Sequence, residues 1–342
     1  MESPRRLCAA HVRRRSGAFV PPAPASPRVS ILVRTKDRPV LLARALDDML
    51  AQTRSDWEAI IVNDGGDAAE VQAVVAARAD PFAERVSVIH HQDSKGMEAA
   101  ANVALAEAAG EFVVIHDDDD TWSPTFLAET VGHLQAHHDA IAVAVRTEIV
   151  DEEIRGSEIV ETGRRPFGPP HDVVTLLDLL LINRVVPIGL LVRSEAVRRI
   201  GGYDESLPVV GDWEFNLRLA RAGRIDFLPA TPLAFWHQRA QADGALANSM
   251  GGGYGAHARY DRLVRDRQLR TDLEAGGTGH LLYLAMLVDE VVQGAEKRIV
   301  EAQLQAMAES EQRIVTELRN AIQLYSPAAT ARRAVRRILR RS

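Results

Sequence analysis

Apolar and polar positions along the first part of the chain fall into blocks whose period switches between that of a buried strand and that of a helix. Val29-Ser30-Ile31-Leu32-Val33 is a short β-branched and apolar run, followed by Pro39 at a helix start. Leu41, Leu42, Ala45, Leu46 and Met49 then recur at helical spacing and predict a helix covering one face of a sheet. Ala59-Ile60-Ile61-Val62 reads as the next buried strand, stopped by Asn63-Asp64-Gly65-Gly66. A helix over 68–77 leads to the strand Val86-Ser87-Val88-Ile89, and a further helix over 98–109 is expected to end on Gly110 as its C-cap. Phe112-Val113-Val114-Ile115 is a fourth strand. Strand alternating with helix in this way predicts an α/β fold with a doubly wound, mostly parallel sheet.

The second half is less regular. Ile141 to Val145 and Leu233-Ala234-Phe235-Trp236 read as strands, 173–181 as a helix, and Val185 to Val192 as apolar backbone interrupted by Pro-Ile-Gly. Phe215, Leu217 and Leu219 pattern a helix over 212–222, closed by Gly223. Leu281, Ala285, Val288, Val292, Ala295 and Ile299 follow alternating spacings of four and three, resumed with a shift of one at Val300, Leu304, Met307, Ile314 and Leu318. That run predicts a long helix or hairpin, which either packs on the main domain or forms a coiled-coil seam and a homo-oligomer. At the end, Arg332, Arg333, Arg336, Arg337, Arg340 and Arg341 flank Val335, Ile338 and Leu339. This basic tail is either a solvated helix or a weak peripheral contact with an anionic membrane surface.

Composition narrows the classes. A chain of 342 residues with 46% hydrophobic and 26% charged positions is an ordinary globular one, with room for one large domain and an appendage. The net charge of -6, basic at both ends and acidic in the middle, argues against a nucleic-acid binder. Cys8 is the sole cysteine, which excludes a disulfide framework and a cysteine zinc site and fits a cytoplasmic setting. No run reaches the roughly 18 to 20 apolar residues of a membrane span; the best stretch, Leu176 to Val192, is broken by Asp178, Asn183, Arg184 and Pro187. Arg13-Arg14-Arg15 lacks the apolar segment of a secretory signal, and Pro21-Pro22-Ala23-Pro24 reads as an extended linker. The expected plan is a poorly ordered segment over 1–27, a main domain over 28–240, a helical extension over 241–329 and the tail over 330–342.

The chemistry concentrates where the fourth strand ends, at Asp117-Asp118-Asp119-Asp120. Carboxylates this close must stay hydrated, become protonated or bind a cation. The run is either a solvated acidic turn or a site for a hard divalent cation and a diphosphate, and the open end of a parallel sheet is where ligands bind.

In order along the chain, Ser30-Ile31-Leu32-Val33 with Arg38-Pro39, Ile60-Ile61-Val62-Asn63-Asp64-Gly65, Gly96 with Asn102, Gly110-Glu111-Phe112 running into the aspartates, and Gly211-Asp212-Trp213-Glu214 make the segment from about Val29 to His237 resemble a family 2 glycosyltransferase with the GT-A fold. The resemblance implies a metal-dependent, inverting transfer of a hexosyl or deoxyhexosyl group from a nucleotide-diphosphate sugar to a saccharide or lipid-linked acceptor, in polysaccharide or glycoconjugate biosynthesis. It implies Mn²⁺ or Mg²⁺ as cofactor. By motif, Thr35 and Asp37 begin the nucleotide pocket, Asp64 accepts from the donor base, Asp117 and Asp119 form the D-x-D pair, Asp118 faces the ribose or sugar, and Asp212 is the base. Asp119 is the expected metal ligand, with Asp117 and His237 as the others, and Lys95 is a candidate phosphate or base contact.

Each role has a plainer rival. Asp64 could stabilise its own turn, Asp212 could cap a helix, His237 could be a satisfied buried imidazole, and Lys95 could be a solvated lysine. Two departures touch specificity: Gly211 stands where the family often has an acidic residue, and Ala100-Ala101-Asn102 replaces the usual Ala-Arg-Asn. The alternative functions are a non-catalytic nucleotide-sugar-binding or scaffold protein on the same fold and a sugar nucleotidyltransferase. The second lacks support, because Val33-Arg34-Thr35-Lys36-Asp37 offers no glycine-rich loop for a triphosphate.

Overall fold

The computed structural model describes residues 28–239 apart from 83, 157 and 169–171, residues 244–246, and residues 254–340 apart from 326. The expectation for 1–27 lies outside the described residues. Strands β1 (Val29–Thr35), β2 (Trp57–Asp64), β3 (Val86–His91) and β4 (Phe112–Ile115) alternate with helices α1 (Pro39–Leu50), α2 (Ala68–Ala76), the single turn α3 (Ala79–Phe82) and α4 (Met97–Glu107). The short strand β5 (Thr121–Trp122), helix α5 (Phe126–Ala136), strands β6 (Ala140–Val145), β7 (Thr147–Arg155) and β8 (Glu158–Pro166), and helix α6 (Leu176–Leu181) follow. Strand β9 (Leu190–Arg193), helices α7 (Ser194–Ile200) and α8 (Gly211–Ala222), and strands β10 (Arg224–Leu228) and β11 (Ala234–Gln238) complete this part.

The main sheet has the order β10-β6-β9-β4-β1-β2-β3, parallel throughout except where β9 runs against both β4 and β6. The α/β, mostly parallel, doubly wound architecture is therefore the observed one. The centre of the sheet shows why. In β1, Val29, Ile31 and Val33 point into a core with Leu42, Leu46 and Met49 of α1, while Leu32 points the other way against Ala100, Ala101 and Ala104 of α4. A strand covered on both faces must be apolar at successive positions, and that is the run the sequence carries.

A second sheet, β5-β11-β7-β8, was not expected from the sequence beyond β11. Its β7 and β8 form an antiparallel hairpin in which Glu148, Asp151, Glu153, Glu161, Arg164 and Arg165 leave little apolar signal. One glycine acts differently from expectation, and a second closes its helix as expected. Helix α4 ends at Ala108 in extended backbone, and Gly110 is there because a Cβ would meet the Ser30 backbone nitrogen at 2.6 Å. Gly223 follows α8 in extended backbone, and its Cβ would strike the Ile141 side chain at 2.9 Å.

The chain divides into one compact unit through Arg262 and a second from Leu263 onward. The division falls inside helix α9 (Tyr254–Glu274); helices α10 (Thr278–Tyr325) and α11 (Pro327–Ile338) follow. Along α10, Leu284, Val288, Val291, Ile299, Leu304, Met307, Ile314 and Leu318 are exposed. No helix among the described residues is long and apolar enough to cross a membrane.

Candidate active site

The C-terminal ends of β1, β2 and β4, with the loop between β3 and α4, surround a cavity of about 520 Å³. Its wall includes Thr35, Asp37, Asp64 and all four aspartates Asp117 to Asp120, together with Arg34, Arg38, Trp236 and Gln238. The backbone is strained at this rim: Asp37 has φ +53°, the left-handed region that a non-glycine residue enters at a cost. Its Oδ1 accepts from the Asp67 N–H, tying the β1 loop to the start of α2.

Asp64 is buried at the end of β2. Its carboxylate accepts from His91 Nδ1 (2.7 Å), Ser94 Oγ (2.6 Å), Lys95 N (2.8 Å) and Gly96 N (2.9 Å). Burial alone would raise its pKa, but these four donors outweigh it and hold the pKa below the ordinary aspartate value. The turn after β2 is held by Asn63 instead, whose side-chain amide bonds both the N–H and the C=O of Gly66. Asp64 thus organises the loop 91–96, and its acceptor capacity is already filled. The Lys95 side chain is exposed and outside the cavity wall; only its backbone reaches the site.

The acidic run is neutralised by arginines that sequence reasoning missed. Arg34 clamps Asp117 with two bonds of 2.8 and 2.7 Å. Thr35 Oγ1 donates to Asp118 at 2.7 Å, and Arg38 reaches both Asp118 (3.2 Å) and Asp119 (3.3 Å). Arg239, immediately after β11, bonds Asp119 and Glu152 of β7. Burial, then the charge of Asp119, push Asp118 up to about 7 against the pull of Arg38 and Thr35. Asp120 is also raised by burial; its Oδ1 accepts the His237 N–H, so it anchors β11.

His237 lies behind the wall. Its Nδ1 meets Glu152 at 2.7 Å and its Nε2 meets Thr121 Oγ1 at 2.8 Å, so both ring nitrogens have protein partners. Burial lowers its pKa. Glu152 would be raised by burial, but His237 and Arg44 bring it down to about 2. In this arrangement the imidazole ties β11 to β7 and β5 within the second sheet, and both of its nitrogens face protein partners.

Asp212 is the second residue of α8, half-buried, and accepts from Asn183 Nδ2 at 2.7 Å. The N-cap position is Val210, whose φ of +60° is a costly conformation for a β-branched residue, while the Asp212 carboxylate is stabilised by the backbone N–H of Trp213 in the same turn. Asp212 lies outside the wall of the large cavity and lines a separate small cleft with Tyr203, Pro187 and Asn216. Burial raises its pKa, and the opposed charges of Arg34 and Asp117 act on it. Arg34, bonded to Asp117, thus also acts on Asp212 through its charge. Away from this site, His133, His137 and Asp226 each place one potential ligand atom within 4.8 Å of the others. The bonds of Asp226 to His133 and Arg224 already account for that cluster.

For a divalent cation, the acidic run presents carboxylate oxygens at the cavity wall, a donor type that suits a hard ion, and Asp117 and Asp119 are two of its members. Arg34 and Arg239 compete for the same oxygens.

Comparison with known proteins finds likenesses over part of the chain. Residues 30–179 match the model described as Glycosyl transferase family 2. The chain is similar to the uncharacterized glycosyltransferase YwdF of Bacillus subtilis, with 27% identity over 212 residues, 61% of this chain and 74% of that one. It is similar to the putative colanic acid biosynthesis glycosyl transferase WcaA of Escherichia coli, with 38% identity over 111 residues, 32% of this chain and 39% of that one. It also resembles the pre-mycofactocin glycosyltransferase of Mycobacterium tuberculosis, 29% identical over 210 residues, 58% of this chain and 41% of that one. In WcaA and the mycobacterial protein the match thus spans about two fifths of the relative's length. Among solved structures, S. aureus TarS 1–349 in complex with UDP-GlcNAc superposes with a TM-score of 0.52 at 19% identity, covering 66% of this chain and 61% of that one. That likeness is one of fold.

Proposed function

From the membership of residues 30–179 in glycosyl transferase family 2, we propose that the chain moves a hexosyl or deoxyhexosyl group from a nucleoside-diphosphate sugar to a saccharide or lipid-linked hydroxyl, with inversion. The observation that carries this reading is the cavity at the carboxyl ends of β1, β2 and β4, with four aspartates and paired arginines in one wall. The donor diphosphate occupies that cavity, and its base lies against the loop that Asp64 holds in place. Asp117 and Asp119 hold Mn²⁺ or Mg²⁺, while Asp118, bonded to Thr35, faces the ribose or sugar. When bound, the cation supplies Lewis-acid stabilisation of the departing diphosphate. Asp212 takes the proton of the attacking hydroxyl, Asn183 holds its carboxylate in place, and burial keeps it basic. One base and no enzyme nucleophile give inversion.

Calorimetry tests the donor site. One of UDP, dTDP or GDP is expected to bind in the presence of Mn²⁺ or Mg²⁺ and to lose binding both with chelator and in Asp119→Ala. Metal-independent binding, or full binding by the variant, would remove Asp119 from the cation site.

The C-terminal helices add two expectations. The exposed apolar stripe of α10 makes the chain self-associate, which light scattering at micromolar concentration reads as a mass above that of the 37.5 kDa monomer. In α11, exposed Arg332, Arg333, Arg336 and Arg337 surround exposed Val335, which suits weak contact with an anionic surface at the inner face of a membrane. Deleting residues 330–342 is expected to abolish salt-sensitive co-sedimentation with phosphatidylserine vesicles; unchanged sedimentation would remove the tail from membrane binding.

A further inference from the structure

Glu98 is a carboxyl that neither the acidic wall nor the base uses. It is the second residue of α4 and is 6% exposed. Its own backbone N–H and the charge of Arg34 favour its ionised form, and burial opposes it. A buried carboxyl is costly and needs a reason to be there.

Its position supplies one. A Cβ built on Gly211 would lie 2.4 Å from Glu98 Oε1, 2.7 Å from Cγ and 2.9 Å from Cδ. Gly211 is not among the glycines in the left-handed region, so position 211 is glycine for room and not for backbone freedom. Glu98 reaches from α4 into the volume that a side chain directly before Asp212 would fill. The charged and titratable groups that act on it come from each neighbouring element: Arg34 on β1, Asp117 after β4 and Asp212 on α8. Arg34, itself clamped to Asp117, also faces Asp212 and Tyr203 and reaches the Met97 carbonyl, next to Glu98, at 3.5 Å. Burial raises Glu98 to about 7 against the attraction of Arg34.

We infer that Glu98 is a positioning residue of the transfer step: it takes the place of a side chain at position 211, sets where Asp212 starts on α8, and offsets the Arg34 charge that acts on Asp212. A cation beside a general base stabilises the carboxylate and weakens it, and a second carboxylate near that cation restores basicity. The inference rests on the reading of Asp212 as the base.

Two measurements on the full chain test it. In a melting cycle, Gly211→Ala is expected to lower the midpoint, because its Cβ collides with Glu98. The double variant Glu98→Ala/Gly211→Ala is expected to melt no lower than Glu98→Ala alone. Additive losses would overturn the juxtaposition, whether or not any donor is turned over. The second measurement is release of nucleoside diphosphate, with Mn²⁺, from UDP-glucose, UDP-N-acetylglucosamine, GDP-mannose and dTDP-rhamnose. Glu98→Gln keeps the volume and removes the charge. Its kcat is expected to fall about tenfold, the effect of one pKa unit on the base, with donor KM unchanged and the pH profile altered near neutrality. A purely structural role would leave the Gln variant's kcat and pH profile as in the wild type. Asp212→Asn separates the two failures. If it keeps turnover, the base reading falls; if it loses turnover while Glu98→Gln keeps it, only the role of Glu98 falls.

Discussion

Asp212→Asn is expected to lower turnover by about 10²- to 10⁴-fold, the usual contribution of a positioned general base, while nucleoside diphosphate binds as before. The substitution is nearly isosteric, and the amide oxygen can still accept from Asn183 Nδ2, so α8 should begin as it does now. Because Asp212 lies outside the wall of the large cavity, the variant tests proton removal without emptying the donor site. Steady-state kinetics would show the loss in kcat with donor KM little changed. The sign of the pH dependence follows from burial, which raises the Asp212 pKa. Turnover should fall on the acid side as this carboxylate takes up a proton, starting at a higher pH than an exposed aspartate would give. Equal turnover by variant and wild type would favour a nucleotide-sugar-binding protein without this catalytic base.

What could be read from the chain, and what could not, divides along burial and sequence distance. Strands β1, β2 and β4 announce themselves because both faces are covered, which forces successive apolar residues. The hairpin β7–β8 leaves no such trace, since charged residues occupy half of its positions and break up the apolar ones. The place of Asp117 to Asp120, at the open end of a parallel strand and in the wall of a cavity, was legible from position alone. Their arginine partners were not. Arg239 lies 120 residues beyond Asp119, and an arginine in a sequence reads by default as surface. Arg34 is the exception that could have been found, because strand alternation places it at the mouth of β1 beside Thr35. For Asp64 the residue was evident but its partners were not, since the donors lie about thirty residues downstream in a loop without periodicity. His237 stood at the end of an apolar strand with two readings open, and the bonds to Glu152 and Thr121 depend on β7, which the pattern hid.

Arg239→Met is expected to cost about 3–5 kcal/mol of stability, the range for breaking a buried ion pair from one side. The Arg239 side chain is 1% exposed; its guanidinium joins Glu152 (2.7 Å) to Asp119, and its Nε donates to the Leu246 carbonyl at 2.9 Å. Methionine fills much of the volume but leaves two buried carboxylates short of a cation. Lysine would not replace it, since one ammonium cannot span both acids with the fork geometry. Glu152 keeps Arg44 and His237, so the larger part of the loss should fall on Asp119, at the cavity wall. Urea unfolding at pH 7 reads the effect, and a change under about 1 kcal/mol, the worth of a surface pair, would mean that the remaining arginines suffice. The acid limb supplies a second check. Glu152, held at about 2 in the folded chain, contributes stability that is present above its ordinary carboxylate pKa and lost as pH falls toward 2. Removing Arg239 should bring that loss to higher pH. The same substitution should weaken cation-dependent nucleotide binding, because Arg239 is what fixes the Asp119 carboxylate relative to β11 and the second sheet.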